Sequence, residues 1–308
     1  MSRVLLIGWD GADWRVLEPL LEAGLLPNLS ALIDRGARAV LKSTLPTHSW
    51  AAWPSFLTGV DPADHGVYDI FESPGRAAHR LPVSFHSIRE RTFLADLTEA
   101  SVETVMLNVP LTFPPPPIKG KLVAGGVLPK RRPYTHPESL AAELEGAGVP
   151  YPINGMSWTT FHHRPEPFLE EVAGVTRARQ RAAEYILDAT DWQVACVVFV
   201  ATDRVNHCLA PYVSPDHPQY GVRSNEPLAA RVRANAAVRH SWSDCQRADA
   251  DRPVRGWLAE RHGHRRVASD SADTGRARAR SGALAVAPRG SPLCRSAPGP
   301  GGTPRDRR

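Results

Sequence analysis

Paired cysteines are missing from this 308-residue chain. Its four cysteines, Cys196, Cys208, Cys245 and Cys294, lie far apart with no CxxC pair. That excludes a zinc knuckle or dithiol redox motif and leaves four thiols expected to be free. Long apolar runs are missing as well. The opening MSRVLLIGWDG has four consecutive apolar residues, Val4 to Ile7, too few for a signal-peptide core, and nowhere is there an apolar stretch of the roughly 18 residues that span a bilayer. The expectation is a soluble, cytoplasmic protein without a membrane partner.

From Arg231 onward, 78 residues contain no Lys, Ile, Phe, Tyr or Met, while Arg, Ala, Gly, Pro, Ser and Asp dominate. Such a segment buries too little apolar surface to offset chain entropy, so residues 231–308 are expected to be a disordered tail. Two origins fit it: a natural basic tail, or a GC-rich gene read out of frame, which would make the chain truncated or frame-shifted. The tail also explains the overall charge of +5 and the pI of 9.2. It holds 17 Arg against 7 acids, so residues 1–230 carry 20 basic and 25 acidic side chains. A nucleic-acid partner, which the pI alone would suggest, is not expected, because the tail lacks aromatic interleaving and a periodic basic face.

Residues 1–230 alternate short apolar strands with amphipathic helices. Arg3 to Trp9 reads as a fully buried strand ending in Asp10-Gly11, where parallel α/β sheets present ligand-binding residues. Helices are predicted over 14–23, 27–35, 93–100, 137–146 and 166–189, and further strands over 37–42, 104–109, 121–126 and 192–201. Pro110 to Pro117 includes four consecutive prolines, which forbid a helix or central strand there. Val127 to Pro167 is otherwise irregular and reads as an insertion or lid. The predicted class is α/β, a mostly parallel central sheet flanked by helices.

The stretch Ser43 to Gly66 crowds polar, small and aromatic residues between apolar segments. A helix from Ser49 to Leu57, closing at Thr58-Gly59, puts Ser49 at its N-terminus, where free backbone amides favour an anion. Two readings stand for Ser49: a helix cap, since serine is a preferred cap, or a nucleophile facing a phosphate. Asp10 is likewise a cap for the next helix or a ligand. In ATDRVNHC, Asp203 and His207 sit four apart, so one helical turn puts carboxylate and imidazole on one face, as a metal ion needs or as a cap with a solvated partner would also show. Trp50 and Trp53 read as packing residues, His65 as ordering its turn, His48 as facing away from Ser49, and His162 and His163 as a solvated pair in the insertion.

Taken in order, VLLIGWDGADW, GLLPNLSALIDRG, AAWPSFLTGVDPADHG, NVPLTFPPPPIKGKLVAGG and FVATDRVNHCLAPY followed by HPQY resemble the alkaline phosphatase superfamily, in its type I phosphodiesterase and nucleotide pyrophosphatase branch. The resemblance runs from Val4 to about Tyr220. It implies an alkaline-phosphatase-like domain over 1–230 that hydrolyses a small-molecule phosphoester. It also implies two divalent metal ions, zinc or manganese, with Asp10 and Ser49 on one, Asp203 and His207 on the other, and Ser49 as nucleophile. The family's Ser-Asp-His-Gly motif is absent. VASDSADTG is nearest, with Asp270 in a Ser-Asp pair and Ser271 where the His belongs. At Tyr68-Asp69-Ile70 the Asn of nucleotide pyrophosphatases is also absent, which points to a related phosphohydrolase subgroup. A catalytically impaired member of the fold is the alternative reading. Oligomeric state is left open.

Overall fold

A computed structural model describes residues 3–72, 81–126, 133–153, 155–161, 164–215, 217–220, 227–232 and the backbone of 286–288. The chain opens with β1 (Val4–Trp9), α1 (Trp14–Glu22), α2 (Pro27–Arg35) and β2 (Gly36–Arg38). It continues through α3 (Ser49–Thr58), α4 (Pro62–His65), α5 (Phe93–Glu99), β3 (Thr104–Pro110) and β4 (Gly120–Gly125). Next come β5 (Thr135–His136), α6 (Leu140–Gly146), α7 (Pro165–Asp188), β6 (Val194–Phe199) and α8 (Ala201–Val213).

Five strands make one sheet in the order β1-β6-β3-β4-β5. β1, β6, β3 and β4 run parallel, and β5 is antiparallel to β4. The mostly parallel α/β sheet read from the sequence is what forms. Successive residues of a strand face opposite sides, and here both sides are covered. Val105, Leu107, Ala195 and Val197 face α6 and α7, packing with Leu140, Leu144, Ala182 and Ile186. Met106, Leu122, Cys196 and Val198 face the other way, onto Trp53 and Leu57 of α3 and Leu94 of α5. The core therefore lies in two layers, with α3 pressed against the face opposite α7.

Several boundaries differ from expectation for local reasons. β1 is only partly buried along its length, because it is the edge strand of the described sheet and pairs with β6 alone. Pro110 ends the central strand β3 despite having no N–H to donate; the register shifts between Leu107 and Pro110, and Asn108 takes φ 59 there. The strand expected over 37–42 shortens to β2. Within the insertion read at 127–167, β5 and α6 pack on the main sheet, with Leu140 and Leu144 fully buried. Beyond it, residues 227–232 are helical, with Leu228 and Ala229 buried. In the stretch read as a tail, Val286–Pro288 (β7) pairs antiparallel with β2. His162, His163, Cys245, Asp270 and Cys294 lie outside the described residues. Among the described helices none is by itself long and apolar enough to cross a membrane.

Candidate active site

Because β1 and β6 pair in register from Val4↔Val194 to Trp9↔Phe199, their carboxyl ends finish level. The Asp10 N–H donates to the Phe199 carbonyl at 2.9 Å, one rung past the strand, which fixes where the Asp10 side chain leaves the sheet. Asp10 is buried, with 9 % of its surface exposed.

Onto this carboxylate α3 directs two groups. The α3 cap is His48, whose Nδ1 accepts from the Trp50 N–H at 3.3 Å. Ser49 is the first helical residue, so the reading of Ser49 as the cap is corrected: His48 occupies that role, and the serine hydroxyl is free to point elsewhere. It donates to Asp10 Oδ1 at 2.9 Å. One turn further on the same face, Trp53 comes beside the Asp10 carboxylate, and its indole N–H lowers the Asp10 pKa. Trp53 is thus the packing residue expected and also a residue of the site, a role that no residue spacing signals.

Burial pushes the Asp10 carboxyl above its ordinary range, and the negative charge of Asp203 pushes it further. The Ser49 and Trp53 hydrogen bonds and the Arg204 charge act in the opposite direction. Two carboxylates that repel each other across a buried turn are an environment that favours a proton or a cation between them.

Asp203 lies in the first turn of α8, where the helix dipole favours an acid. Its Oδ1 is 3.1 Å from His207 Nε2, and its side chain is 16 % exposed against 74 % for the imidazole. The expected one-face pairing of Asp203 with His207 is realised. Between the two acids sits Gly11, at φ +72, and a Cβ there would lie 2.7 Å from the Asp203 Cα. The Gly11 carbonyl accepts from Asn206 Nδ2 at 2.9 Å. The structure therefore brings Asp10 directly to Ser49, brings Asp203 directly to His207, and joins the two pairs through the Gly11 turn.

Two buried polar residues escaped or clarified the sequence reading. Asn108, beyond the regular part of β3, donates Nδ2–H to the Val198 carbonyl at 2.8 Å and ties the ends of β3 and β6 together. It opens the NVPLTFPPPPIKGKLVAGG segment, but the sequence reading assigned it no role. His65 is fully buried, and its Nδ1 accepts from the Val67 N–H at 3.2 Å. The proton is therefore on Nε2, which donates to Ser55 Oγ at 2.9 Å. His65 orders the α3–α4 corner, as expected, and burial holds its pKa below the usual range.

A divalent cation fits the donors in kind. Hydroxyl, carboxylate and imidazole are oxygen and nitrogen ligands, and the repulsion between Asp10 and Asp203 is relieved by positive charge. In number the set is short. Among the described residues no three His, Cys, Asp or Glu side chains converge into one group.

Residues 4–235 match the type I phosphodiesterase / nucleotide pyrophosphatase family. Comparison with curated proteins finds no match. Among solved structures, phosphonoacetate hydrolase from Sinorhizobium meliloti 1021, in complex with phosphonoacetate, is 14% identical with a TM-score of 0.46, covering 77% of this chain and 54% of that one. Murine ectonucleotide pyrophosphatase / phosphodiesterase 5, an inactive form in complex with AMP, is 11% identical with a TM-score of 0.49, covering 80% and 53%. The chain spans about half the length of the solved structures it matches. On the match over 4–235, which takes in β1, α3 and α8 together, this chain belongs to the type I phosphodiesterase / nucleotide pyrophosphatase family.

Proposed function

We propose that the chain is a phosphoester hydrolase acting on a small-molecule phosphodiester or related ester, with Ser49 Oγ as nucleophile. The observation that carries this is the hydrogen bond from Ser49 Oγ to Asp10 Oδ1, made at the first residue of α3 and at the carboxyl end of β1. A serine held there has the free amides of a helix start beside it to receive phosphate oxygens. Its proton already points at an acceptor whose burial favours taking it.

Ser49 Oγ attacks phosphorus as its proton passes to Asp10 Oδ1, the bond from phosphorus to the leaving oxygen breaks, and that oxygen departs as the alcohol by taking the proton from Asp10. Water then cleaves the phosphoseryl ester and regenerates the hydroxyl. Asp10 with Ser49, and Asp203 with His207, are the residues that would hold two divalent cations, zinc or manganese. Such cations, when bound, lower the hydroxyl pKa and neutralise the phosphate oxygens.

The test is hydrolysis of bis(4-nitrophenyl) phosphate by the full chain with zinc or manganese, together with its metal content. Ser49→Ala is expected to lower kcat by about a thousandfold or more, the scale lost when a nucleophile is removed. Ser49→Thr is expected to keep measurable turnover, since it keeps the hydroxyl. Activity unchanged in Ser49→Ala would sink the nucleophile assignment. A second reading, a member of the family with impaired catalysis, is favoured by one feature: no Ser-Asp-His-Gly run occurs in the chain. Absence of both bound metal and turnover in the wild type selects it.

A further inference from the structure

Asp203, Asn206 and His207 stand at i, i+3 and i+4 on α8, so all three project from one face of the helix. Asp203 and His207 pair with each other. Asn206 reaches across to β1, where its Nδ2–H meets the Gly11 carbonyl at 2.9 Å, a contact between residues 195 positions apart. Gly11 is the residue next to Asp10, and its lack of a Cβ lets the Asp203 backbone close onto the turn. One donor thus ties the turn carrying one acid to the helix carrying the other.

We infer that Asn206 is a positioning residue that sets the separation and orientation of Asp10 relative to Asp203 and His207, and so the spacing of the two cation positions. The inference rests on the proposed hydrolase reading and adds to it a residue that touches neither substrate nor cation. Its physical basis is that α8 has no side-chain cap at its start and Val200 precedes it. The Asp10 N–H bond to the Phe199 carbonyl aligns the strand ends, and the Asn206 amide adds a tie from within α8 itself to the β1 turn, where Asp10 and Asp203 repel.

The experiment measures zinc and manganese affinity of the full chain by titration calorimetry, kcat and KM toward bis(4-nitrophenyl) phosphate, and metal-free Tm. It compares the wild type with Asn206→Leu, Asn206→Ser, Asn206→Gln and Ser49→Ala. Asn206→Leu keeps the volume and removes the donor. It is expected to weaken cation binding about 10- to 100-fold and lower kcat comparably, with KM nearly unchanged. Asn206→Ser shortens the reach and carries the test if the leucine variant does not fold. Asn206→Gln retains an amide donor and is expected to recover most of the affinity. Wild-type affinity and kcat in a folded Asn206→Leu or Asn206→Ser overturn the inference, as does equal impairment of all three Asn206 variants. Failure of the hydrolase reading shows separately: the wild type then binds no cation, which removes both ideas, or Ser49→Ala hydrolyses like the wild type while the affinity data still judge Asn206.

Discussion

Trp53 shows how one side chain serves core and site together. Its ring is 6 % exposed and packs with Leu57, Leu94 and Met106, while its indole N–H lowers the pKa of the neighbouring Asp10. Burying an indole N–H without a partner is costly, and a carboxylate is the strongest acceptor available to it. Trp53→Phe separates the two roles, because it keeps an aromatic ring and deletes the donor. The expected outcome is a loss of about 1 kcal/mol in urea unfolding, the scale of one hydrogen bond, with kcat lowered by about tenfold. Unaltered kcat in a folded variant would assign Trp53 to packing alone. Ser49 depends on a similar division of labour: His48 supplies the cap, which leaves the Ser49 hydroxyl for Asp10.

At the scale of elements, the corner between α3 and α4 determines how firmly the helix that carries Ser49 is seated. α3 ends at Gly59 in the left-handed region, φ 75, and α4 returns the chain so that His65 lies under Ser55. Because His65 is buried as the neutral imidazole, its folded pKa lies below the usual histidine value of about 6.5. A lowered pKa contributes stability that is fully present above the unfolded value and is lost as pH falls through the folded one. The protein is therefore expected to lose Tm on acidification from below about pH 6.5, and His65→Gln is expected to lack that part of the loss. Parallel Tm–pH curves for the two proteins would contradict the neutral assignment. Ala51 and Leu57, both with no exposed surface, anchor the helix that carries Ser49.

For the whole molecule, the charge distribution separates residues 1–230 from residues 231–308. Residues 1–230 are mildly acidic, and the excess of 17 Arg over 7 acids lies beyond them. Duplex DNA binding, if measured at low salt, is expected to disappear by about 150 mM salt, as phosphate contacts without base readout do. It is also expected to disappear on deletion of residues 231–308. Binding that survives both would require a nucleic-acid surface in the folded domain. Since the chain spans about half the length of the solved structures it matches, turnover by this chain itself is the measurement that decides its competence.

Much of this was legible in one dimension. Apolar strands read at 3–9, 104–109 and 192–201, the first and last followed by an acid, specify a parallel sheet whose carboxyl ends gather Asp10 and Asp203, because both faces of such a sheet must be apolar and its connections must cross over. Motif order specified the family, since five separated segments in sequence are far more specific than any one. The stretch from Ser43 to Gly66 was read as holding a helix from Ser49 to Leu57 that closes at Thr58-Gly59, and α3 forms there. Three features required the tertiary structure. The cap at His48 was hidden because histidine is not a usual cap. The Trp53 donation to Asp10 joins positions 43 apart, and the Asn206 contact with Gly11 joins positions 195 apart. Sequence periodicity reports which face of an element is buried, whereas partners brought together by crossovers depend on strand order and register. The sequence alone therefore determined the sheet, the helix start and the acids at the strand ends, and only the folded chain decided which donor reaches which carboxylate.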